Sequence, residues 1–566
     1  MILNRQQLAV SLVLTVGLTI SAVMVSADEQ AVSGVSAAQP LRGAAAITDA
    51  GYRQHLQILS SDEFGGRAPV SPGEELTVNY LASTFKSLGL QPANGDSYIQ
   101  EVPLVSIEVT NEPVLRIAGG SGDDLALNYG NEQVMFSRRQ AETIAVDDSE
   151  LVFVGYGINA PERNWNDYEG VDVRGKTVVM LINDPGFATQ DPALFDGNAM
   201  TYYGRWDYKF NEAAAQGAVA AIIVHDTKPA AYPWATVENS WTGVKFHMVR
   251  ADKGAALAAV ESWITRDSAE ALFAKAGLKL ADLYKRAQTP GFVAVPLPLR
   301  ASTAMQLESS EVVSRNVAAI LPGSEVPEEV FIYTAHWDHF GTDPKLEGDG
   351  IYNGAFDNAT GTAGLLELAT AFSSLEQAPR RSVLFLAVTA EEQGLLGSAH
   401  YAANPLVPLA DTVAGLNMDG LNIIGPARDV TVIGYGFNEL DEVTAAAASE
   451  QERVLAPDAE SEKGRYFRSD HFELAKLGVP MLYLKPGYDH VEKGREYGLA
   501  VSADYTANRY HQTNDEYHAD WVVDGAIQDL RLYFRIGQII ANGDSWPNWN
   551  EGSQFKPLRD AQRAQD

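Results

Sequence analysis

The sequence predicts an α/β fold in which a mainly parallel, mixed sheet is sandwiched by helices. From residue 314 onward, apolar β-type runs alternate with helical segments, and this alternation is typical of a parallel sheet covered on both faces. Hydrophobic residues make up 46% of the chain and charged residues 20%, as in ordinary globular proteins. The 566 residues exceed the roughly 250 to 300 that one core accommodates, so we expect two or more domains.

The amino terminus has the composition of a secretory signal peptide. A single positive charge at Arg5 precedes an apolar stretch over residues 8–25, and the small residues Ser26 and Ala27 follow it. An uncleaved anchor is the alternative, because the stretch approaches the minimum length of a membrane span, about 17 residues. We expect cleavage near Ala27, a secreted or periplasmic protein, and no stable membrane association afterwards.

The overall charge and the absence of cysteine exclude several classes of partner and site. Lys and Arg together number 42 and Asp and Glu together number 74, which gives a formal charge of −32. A chain this acidic repels phosphate backbones, so nucleic acid is not an expected partner. Without cysteine, this chain has no disulfide, no thiolate metal site and no lipid-modified cysteine.

The first half of the chain divides into helical and strand-rich regions. Apolar residues three and four apart over residues 48–90 predict two helices. Short strand-like pieces follow over residues 104–146, and residues 151–225 alternate strands and turns, as a compact insert would. A helix over residues 270–288 and the proline-rich stretch TPGFVAVPLPL, which we interpret as a connector, then return the chain to the main domain.

The domain boundaries follow from these changes of pattern. In the last segment, Trp546 and Trp549 are expected to anchor the final helix by packing. The predicted domains are a signal peptide (1–27), the N-terminal part of the main domain (28–110), an inserted β-rich domain (111–295), the rest of the main domain (296–545) and a C-terminal tail (546–566).

Acidic and imidazole side chains follow the predicted strands of the main domain. The strands VFIYTA, SVLFLAVT and TVAGLNM each run into such groups, and a glycine-rich loop and the segment NRYHQTNDEY carry two more. In parallel sheets, ligands bind beyond the carboxyl ends of the strands, so we expect these groups to meet at one edge. The residues expected there are His336, Asp357, Glu391, Glu392, Asp419 and His511.

The clustered charges predict a metal centre. Carboxylates beside a core strand would repel one another and lose hydration unless they are protonated, paired or bound to cations. Imidazole and carboxylate without sulfur suit zinc first, with manganese or cobalt as alternatives and calcium disfavoured. Two histidines and three carboxylates suffice for two ions roughly 3.5 to 4 Å apart if one carboxylate bridges them. We assign Asp357 as the bridge, His336 and Asp419 to one metal, and Glu392 and His511 to the other.

The adjacent residues Glu391 and Glu392 are expected to have different roles, with Glu392 as a metal ligand and Glu391 as the general base. Adjacent side chains diverge along an extended backbone, so Glu391 can miss the metals and still reach water held between them. We expect it to act as the general base, which takes a proton from that water and returns it to the leaving amine. Asp338 is expected to accept the other N–H of His336 and to fix the tautomer of that imidazole.

Six segments, in order, resemble the di-zinc metallopeptidases that include bacterial aminopeptidases, glutamate carboxypeptidase and the transferrin receptor. The likeness covers residues 48–545, and the ordered set is specific although each segment alone would be weak. The resemblance implies a phosphorylase/hydrolase-like zinc peptidase fold, a protease-associated (PA) domain as the insert, and the same ligands and base. The segments are TAHWDHFG, GDGIYNGAFDNATGTAGLLELA, TAEEQGLLGS, NMDGLN, YFRSDHFELAKLGVPMLYL and YHQTNDEY.

Other polar residues receive a less specific interpretation. His339 lies close to His336 in the sequence, but we expect a structural or rim role for it. Arg468 is a candidate for a substrate pocket or for an ion pair with Asp470, and the sequence leaves both open. The remaining histidines considered, which have no partner pattern or lie in the insert, are His225, His247, His400, His490 and His518.

The predicted function is that of a zinc-dependent exopeptidase acting on peptides, specifically an aminopeptidase with two zinc ions and Glu391 as base. A free α-amine can approach one metal while a metal-bridged hydroxide attacks the scissile carbonyl. Two alternatives stay open. One is a carboxypeptidase or dipeptidase on the same core, for which Arg468 is the visible partner for a substrate carboxylate, and the other is a non-catalytic, receptor-like binding protein.

Overall fold

The computed structural model describes residues 42–564, and the predicted signal peptide at residues 1–27 lies outside them. Two α-helices lie near the start of this part of the chain, and each begins after a hydroxyl cap. Thr48 accepts a hydrogen bond from the amide of Gly51, and Ser71 accepts one from the amide of Glu74. The elements here are α1 (Asp49–Leu59), α2 (Pro72–Ser87), β1 (Gln91–Pro92) and β2 (Ile99–Val109).

The next region builds a sheet with its own hydrophobic core. Its central strands at residues 143–153, 177–181, 220–224 and 260–264 pair in parallel, and the strand at residues 133–136 closes one side antiparallel. The elements are β3 (Leu115–Gly119), β4 (Leu125–Leu127), β5 (Gln133–Phe136), β6 (Thr143–Phe153), β7 (Asn159–Ala160), β8 (Trp165–Asn166), β9 (Thr177–Leu181), α3 (Pro185–Thr189), α4 (Trp206–Ala215), β10 (Ala220–Val224), α5 (Thr227–Ala230), α6 (Trp234–Trp241), β11 (Lys245–Met248), β12 (Val260–Ile264), α7 (Arg266–Lys275) and α8 (Leu280–Ala287).

A single long strand, β13 (Val295–Leu321), belongs to two sheets. Its first part pairs with β3 and β6, and its later part pairs antiparallel with β2 along residues 307–317. The interpretation of TPGFVAVPLPL as a connector is wrong from Val295 onward. Buried and exposed positions alternate there, with Leu297 and Leu299 buried and Pro296 and Pro298 exposed, so both prolines occupy the outer face of a strand. Strand β11, within the predicted insert, also pairs with β2.

The main sheet follows β13 and is mixed. Its order is β13, β17, β14, β18, β21, β19, β20, and the pairs β17/β14, β14/β18 and β18/β21 are parallel. The elements are β14 (Val326–His336), β15 (Gly341–Thr342), β16 (Ile351–Tyr352), α9 (Thr360–Ser373), β17 (Arg381–Val388), α10 (Leu396–Ala403), β18 (Thr412–Met418), β19 (Asp429–Ile433), α11 (Leu440–Ser449), β20 (Val454–Pro457), α12 (His471–Ala475), β21 (Met481–Pro486), α13 (Gly494–Asn508), α14 (Asp524–Asn542) and α15 (Lys556–Arg563).

Helices cover both faces of this sheet, which confirms the predicted α/β fold class. On β14, Phe331 and Tyr333 point into the core formed with α9 and α14, whereas Val330 and Ile332 pack towards α10 and α12. Apolar residues therefore occupy both faces of the strand, which explains the continuous hydrophobic run in the sequence. Between residues 42 and 564, no helix has the length and apolar character that crossing a bilayer requires.

Candidate metal centre

Three parallel strands end together at one edge of the main sheet. His336 at the end of β14 is in register with Val388 of β17, and its neighbour Ala335 is in register with Met418 of β18. The side chains that follow these strands therefore meet at this edge, as the sequence predicts. The loop before α9 brings Asp357 to the same place, and the segment after α13 brings His511.

Asp357 lies between the two predicted histidine ligands. Its Oδ1 atom is 3.3 Å from Nε2 of His336, and its Oδ2 atom is 3.4 Å from Nε2 of His511. The other two carboxylates complete the set, since Asp419 Oδ1 is 3.9 Å from His336 Nε2 and Glu392 Oε2 is 3.1 Å from His511 Nε2. A carboxylate whose two oxygens face different imidazoles has the orientation that a bridging ligand needs.

The donor atoms at this edge fit bound zinc. Nε2 of His336, of His339 and of His511 are all buried, and none makes a hydrogen bond of acceptable geometry among the described residues, although carboxylate oxygens lie close to those of His336 and His511. A buried imidazole nitrogen without a partner is unfavourable unless it binds a ligand. Ligand atoms of His336, Glu391 and Asp419 lie within 4.8 Å of one another, as do those of His339, Asp357 and Glu392. Imidazole nitrogen with carboxylate oxygen is a donor set that zinc accepts.

Asp338 contacts both the histidine and the glutamate pair, but not as predicted. The atom of Asp338 closest to His336 Nδ1 is its backbone oxygen, at 3.2 Å, whereas its carboxylate is 3.8 Å away. The carboxylate instead accepts hydrogen bonds from the backbone amides of Glu391, at 3.0 Å, and Glu392, at 3.3 Å. The side chain therefore orients the turn that carries the two glutamates, and the main chain contacts the imidazole.

The part of the chain that forms this edge matches a known family. Residues 316–534 match the model of peptidase family M28. These residues are a peptidase family M28 domain. The resemblance to metallopeptidases that the motifs indicate is thereby confirmed.

Two curated relatives are also similar to this chain. The chain is 30% identical over 249 residues to a probable zinc metalloprotease of Leptosphaeria maculans, covering 42% of this chain and 51% of the relative. It is 23% identical over 285 residues to a probable zinc metalloprotease of Phaeosphaeria nodorum, covering 47% and 54%. The chain thus spans about half the length of these relatives.

The fold of the chain as a whole is similar to that of a solved aminopeptidase from Aneurinibacillus sp. strain AM-1. The TM-score is 0.52, and the match covers 89% of this chain and 96% of the other at 20% identity. At this identity the likeness supports the fold alone, and it includes the region before the M28 domain.

Two buried residues that the sequence analysis missed hold the ligand loops of the M28 domain. The guanidinium of Arg67 donates to the backbone oxygens of Trp337, at 2.9 Å, and Asn353, at 2.6 Å. Asp515 accepts the backbone amide of Asp357 at 3.1 Å. These contacts run to the main chain, so no motif spacing reveals them. Two adjacent glycines before Arg67 and the NDEY segment around Asp515 are the available sequence signals.

His339 lies inside the M28 site and not at its rim. Its Nδ1 atom is 2.7 Å from Oε1 of Glu392, and the ring is fully buried. Gly354, with φ of 53°, faces this ring, and a Cβ atom there would lie 2.5 Å from the imidazole. A glycine is therefore required for the histidine to reach the glutamate. The two histidines of the HWDH segment were the sequence signal that could have indicated a place for His339 in the site.

Burial and mutual charge shift the pKa values of the groups in the M28 site. Burial alone would lower the pKa of His336, but the neighbouring carboxylates outweigh it and raise that pKa well above its ordinary value. Burial also opposes ionisation of His511, yet Glu392 and the other acids raise its pKa to about 9. Burial, reinforced by the charge of Glu392, raises the pKa of Glu391 well above its usual range. The carboxylates therefore favour positive charge at this edge, which bound cations would supply.

The ion pair between Arg468 and Asp470 that the sequence left open is not formed. Arg468 Nη2 donates to the hydroxyl of Tyr510 at 3.1 Å, and Asp470 Oδ1 accepts from Ser398 Oγ at 2.6 Å. Of the less specific histidines, His490 has a structural contact, since its Nε2 lies 3.1 Å from the backbone oxygen of Ile424.

Proposed function

We propose that this chain is an exported, two-zinc exopeptidase, specifically an aminopeptidase that removes N-terminal residues from peptides. The observation that carries the proposal is the position of Asp357, whose two oxygens face His336 and His511 at 3.3 and 3.4 Å. The M28 domain and the relatives named as probable zinc metalloproteases support the same chemistry.

The proposed ligands form two sets that share one carboxylate. His336 and Asp419 would hold one zinc ion, Glu392 and His511 would hold the other, and Asp357 would bridge them. When bound, zinc polarises a carbonyl oxygen and makes water more acidic. Three carboxylates and two imidazoles would give each of two ions three protein ligands, one of them shared.

Glu391 is the proposed general base. It belongs to the group formed with His336 and Asp419, and the carboxylate of Asp338 fixes the backbone amide of Glu391. Glu391 takes a proton from the attacking water as the C–O bond forms, and it returns this proton to the nitrogen as the C–N bond breaks. A carboxyl group whose pKa is raised by burial is suited to both transfers.

The test combines metal analysis with activity. We expect about two zinc ions per chain, hydrolysis of leucine para-nitroanilide that a chelator abolishes, and recovery on adding zinc. Glu391→Gln should keep the zinc and lose about 1,000-fold or more in kcat, within the range of general-base effects. Glu347→Gln, at an exposed position of the same domain, is the matched control. A zinc-free chain, or near-normal turnover of Glu391→Gln, would contradict the proposal.

A carboxypeptidase or dipeptidase is the second candidate, and one observation favours it. Among the described residues, Arg468 has no carboxylate within ion-pair distance, so its charge is available to a substrate. Comparing aminoacyl arylamides with N-blocked dipeptides separates the two activities, because an aminopeptidase requires the free amine. A receptor-like protein without catalysis is excluded if the zinc-loaded chain cleaves either class.

The insert and the export of the chain belong to the same proposal. Residues 111–295 would be a protease-associated domain, which is supported by the separate core around β9 and β10. Residues 1–27 would be a signal peptide cleaved near Ala27. N-terminal sequencing of protein recovered from outside the cytoplasm tests the cleavage, and a retained residue 1 would contradict it.

A further inference from the structure

The turn that carries the two adjacent glutamates of the M28 site has an unusual backbone. It joins β17 to α10, and three of its residues have positive φ, namely Ala390 at 53°, Gly394 at 107° and Leu395 at 61°. Alanine and leucine carry side chains that disfavour this conformation, so it persists only where the surroundings hold it. The placement of both glutamates therefore depends on what the turn contacts.

Glu391 depends on this turn more than Glu392 does. The carboxylate of Glu392 lies 2.7 Å from Nδ1 of His339 and 3.1 Å from Nε2 of His511, so two side chains fix it. Glu391 is held through its backbone amide, which donates to Asp338 at 3.0 Å, and its carboxylate makes no hydrogen bond or ion pair in the described part of the chain. The main chain of the turn therefore sets the direction in which Glu391 points.

The turn packs on apolar side chains that come from other strands. Ala390 and Leu396, at the two ends of the turn, are buried in a small cluster with two residues of β2. Phe246 and Met248 of β11 pack against this cluster. The amide of Phe246 also donates to Oε1 of Gln393 in the turn, at 3.4 Å. Two of the side chains that support the turn thus belong to the predicted insert and not to the M28 domain.

Strand β11 links the core of the insert to this turn. Successive side chains of a strand point to opposite faces. Phe246 and Met248 face the turn, whereas the ring of His247 between them lies 5.2 Å from that of Phe136, a core residue of the insert. All four residues of β11 pair with β2, which fixes the register of the strand. The strand therefore has one face on the insert and the other on the turn that carries the glutamates.

We propose that Phe246 is a positioning residue for the general base, and that the insert thereby supports catalysis in the M28 domain. The inference rests on the proposed peptidase function, in which Glu391 is the base, and adds a role for the insert. Proton transfer requires a base within hydrogen-bond reach of the attacking water, so a small displacement of the turn slows that step. Zinc binding through Glu392 is less affected, because His339 and His511 hold its carboxylate.

The first experiment separates positioning from general damage by a double-mutant cycle. Phe246→Ala should lower kcat for leucine para-nitroanilide by about 10-fold or more and leave KM and zinc content within about twofold, as a misplaced reacting group does. In the Glu391→Gln background the same substitution should have almost no further effect, because the group that it misplaces is already lost. Phe246→Leu keeps the apolar contact and should restore most of kcat. Val244→Ala, at a residue just before β11 that is 45% exposed, is the matched control and should leave kcat unchanged.

The proposal is overturned if Phe246→Ala keeps the wild-type kcat, or if it lowers kcat by the same factor with and without the carboxylate of Glu391. If Phe246→Ala does not fold, Gln393→Ala replaces it in the same cycle, since it removes the acceptor of the Phe246 amide.

Hydrogen exchange distinguishes failure of this inference from failure of the proposed function. If the wild-type chain cleaves no arylamide, or if Glu391→Gln keeps normal turnover, the proposed function fails. The exchange rates then decide whether Phe246 holds the turn. Faster exchange of the amides of residues 389–396 in Phe246→Ala, with unchanged exchange in α9, supports this contact, and equal exchange in the turn refutes it.

Discussion

The guanidinium of Arg67 donates a hydrogen bond to the backbone oxygen of Gly354 at 2.8 Å. The same side chain, only 1% exposed, also bonds to the backbone oxygen of Trp337. One arginine from the N-terminal region thus joins two loops. The first follows β14, whose last residue is His336, and the second carries Asp357. The positions of two proposed ligands depend on a residue that contacts neither.

Replacing Arg67 should weaken metal binding. We expect Arg67→Met to lower zinc affinity by about 10- to 100-fold, as is typical when residues that orient ligands are lost. Competition with a chromophoric chelator measures the affinity. Arg53→Met is the matched control, because Arg53 also bonds to a backbone oxygen, that of Trp521, away from the ligand loops. Unchanged zinc affinity in a destabilised Arg67→Met would mean that Arg67 supports folding alone.

His339 should contribute to zinc affinity through Glu392. Removing the 2.7 Å contact in His339→Ala frees Glu392 to rotate, so we expect zinc to bind about 10-fold more weakly or worse. Zinc titration against a competing chelator gives the value. His400→Ala serves as control, because His400 is partly buried on α10 and makes no side-chain hydrogen bond among the described residues. If both variants titrate like wild type, His339 has only a packing role.

Removing metal should destabilise the fold. Without cations, the carboxylates of Asp357, Glu392 and Asp419 repel one another across short distances, while bound zinc stabilises only the folded state. We expect a chelator to lower Tm by roughly 5 °C or more in calorimetry. A variant lacking both His336 and His511 should show no further change with chelator. An equal decrease in that variant would show that the chelator acts elsewhere.

Glu367 should make stability depend on pH. Burial raises its pKa to about 7, and a carboxyl with a raised folded pKa contributes stability below its unfolded pKa that is lost as pH rises through the folded one. Glu367→Gln does not titrate and still accepts the amide of Thr48, a bond of 3.0 Å in the wild type. The difference in free energy of unfolding, variant minus wild type, should therefore increase from about pH 5 to about pH 8, by up to about 3 kcal/mol.

His55, the histidine beside Glu367, does not contribute to this pH dependence. His55 lies 3.9 Å away, and burial lowers its pKa to about 4, so it stays neutral across the same pH range. Denaturant unfolding at several pH values gives the free energies. Glu551→Gln, at a side chain that is 93% exposed, should show no such trend. A constant difference between Glu367→Gln and wild type would refute the expectation.

The sequence was sufficient for the sheet and for the groups at its edge. Hydrophobic runs that end at His336, Glu391 and Asp419 identify strand ends because both faces of those strands are buried, and parallel pairing brings the ends together. The ligand roles stay predictions, but the residues do converge at one edge.

The sequence was not sufficient where contacts run to the main chain or where a local signal misleads. Arg67 and Asp515 bond to backbone groups, which leave no periodicity in the sequence. Pro296 and Pro298 suggest a connector, yet they occupy the exposed face of β13, where the alternating leucines decide the structure. The lack of a carboxylate near Arg468 depends on the whole fold, and no local pattern encodes it.

The long strand β13 also limits how this chain can be dissected. One stretch of backbone, Val295–Leu321, supplies an edge partner to β3 and β6 and then to β2 and β17. A truncation that isolates either half would expose a row of unpaired amides and carbonyls, which invites aggregation. The insert is thus not an independent module joined by a flexible linker. Swapping it between relatives would require grafting the shared strand with it.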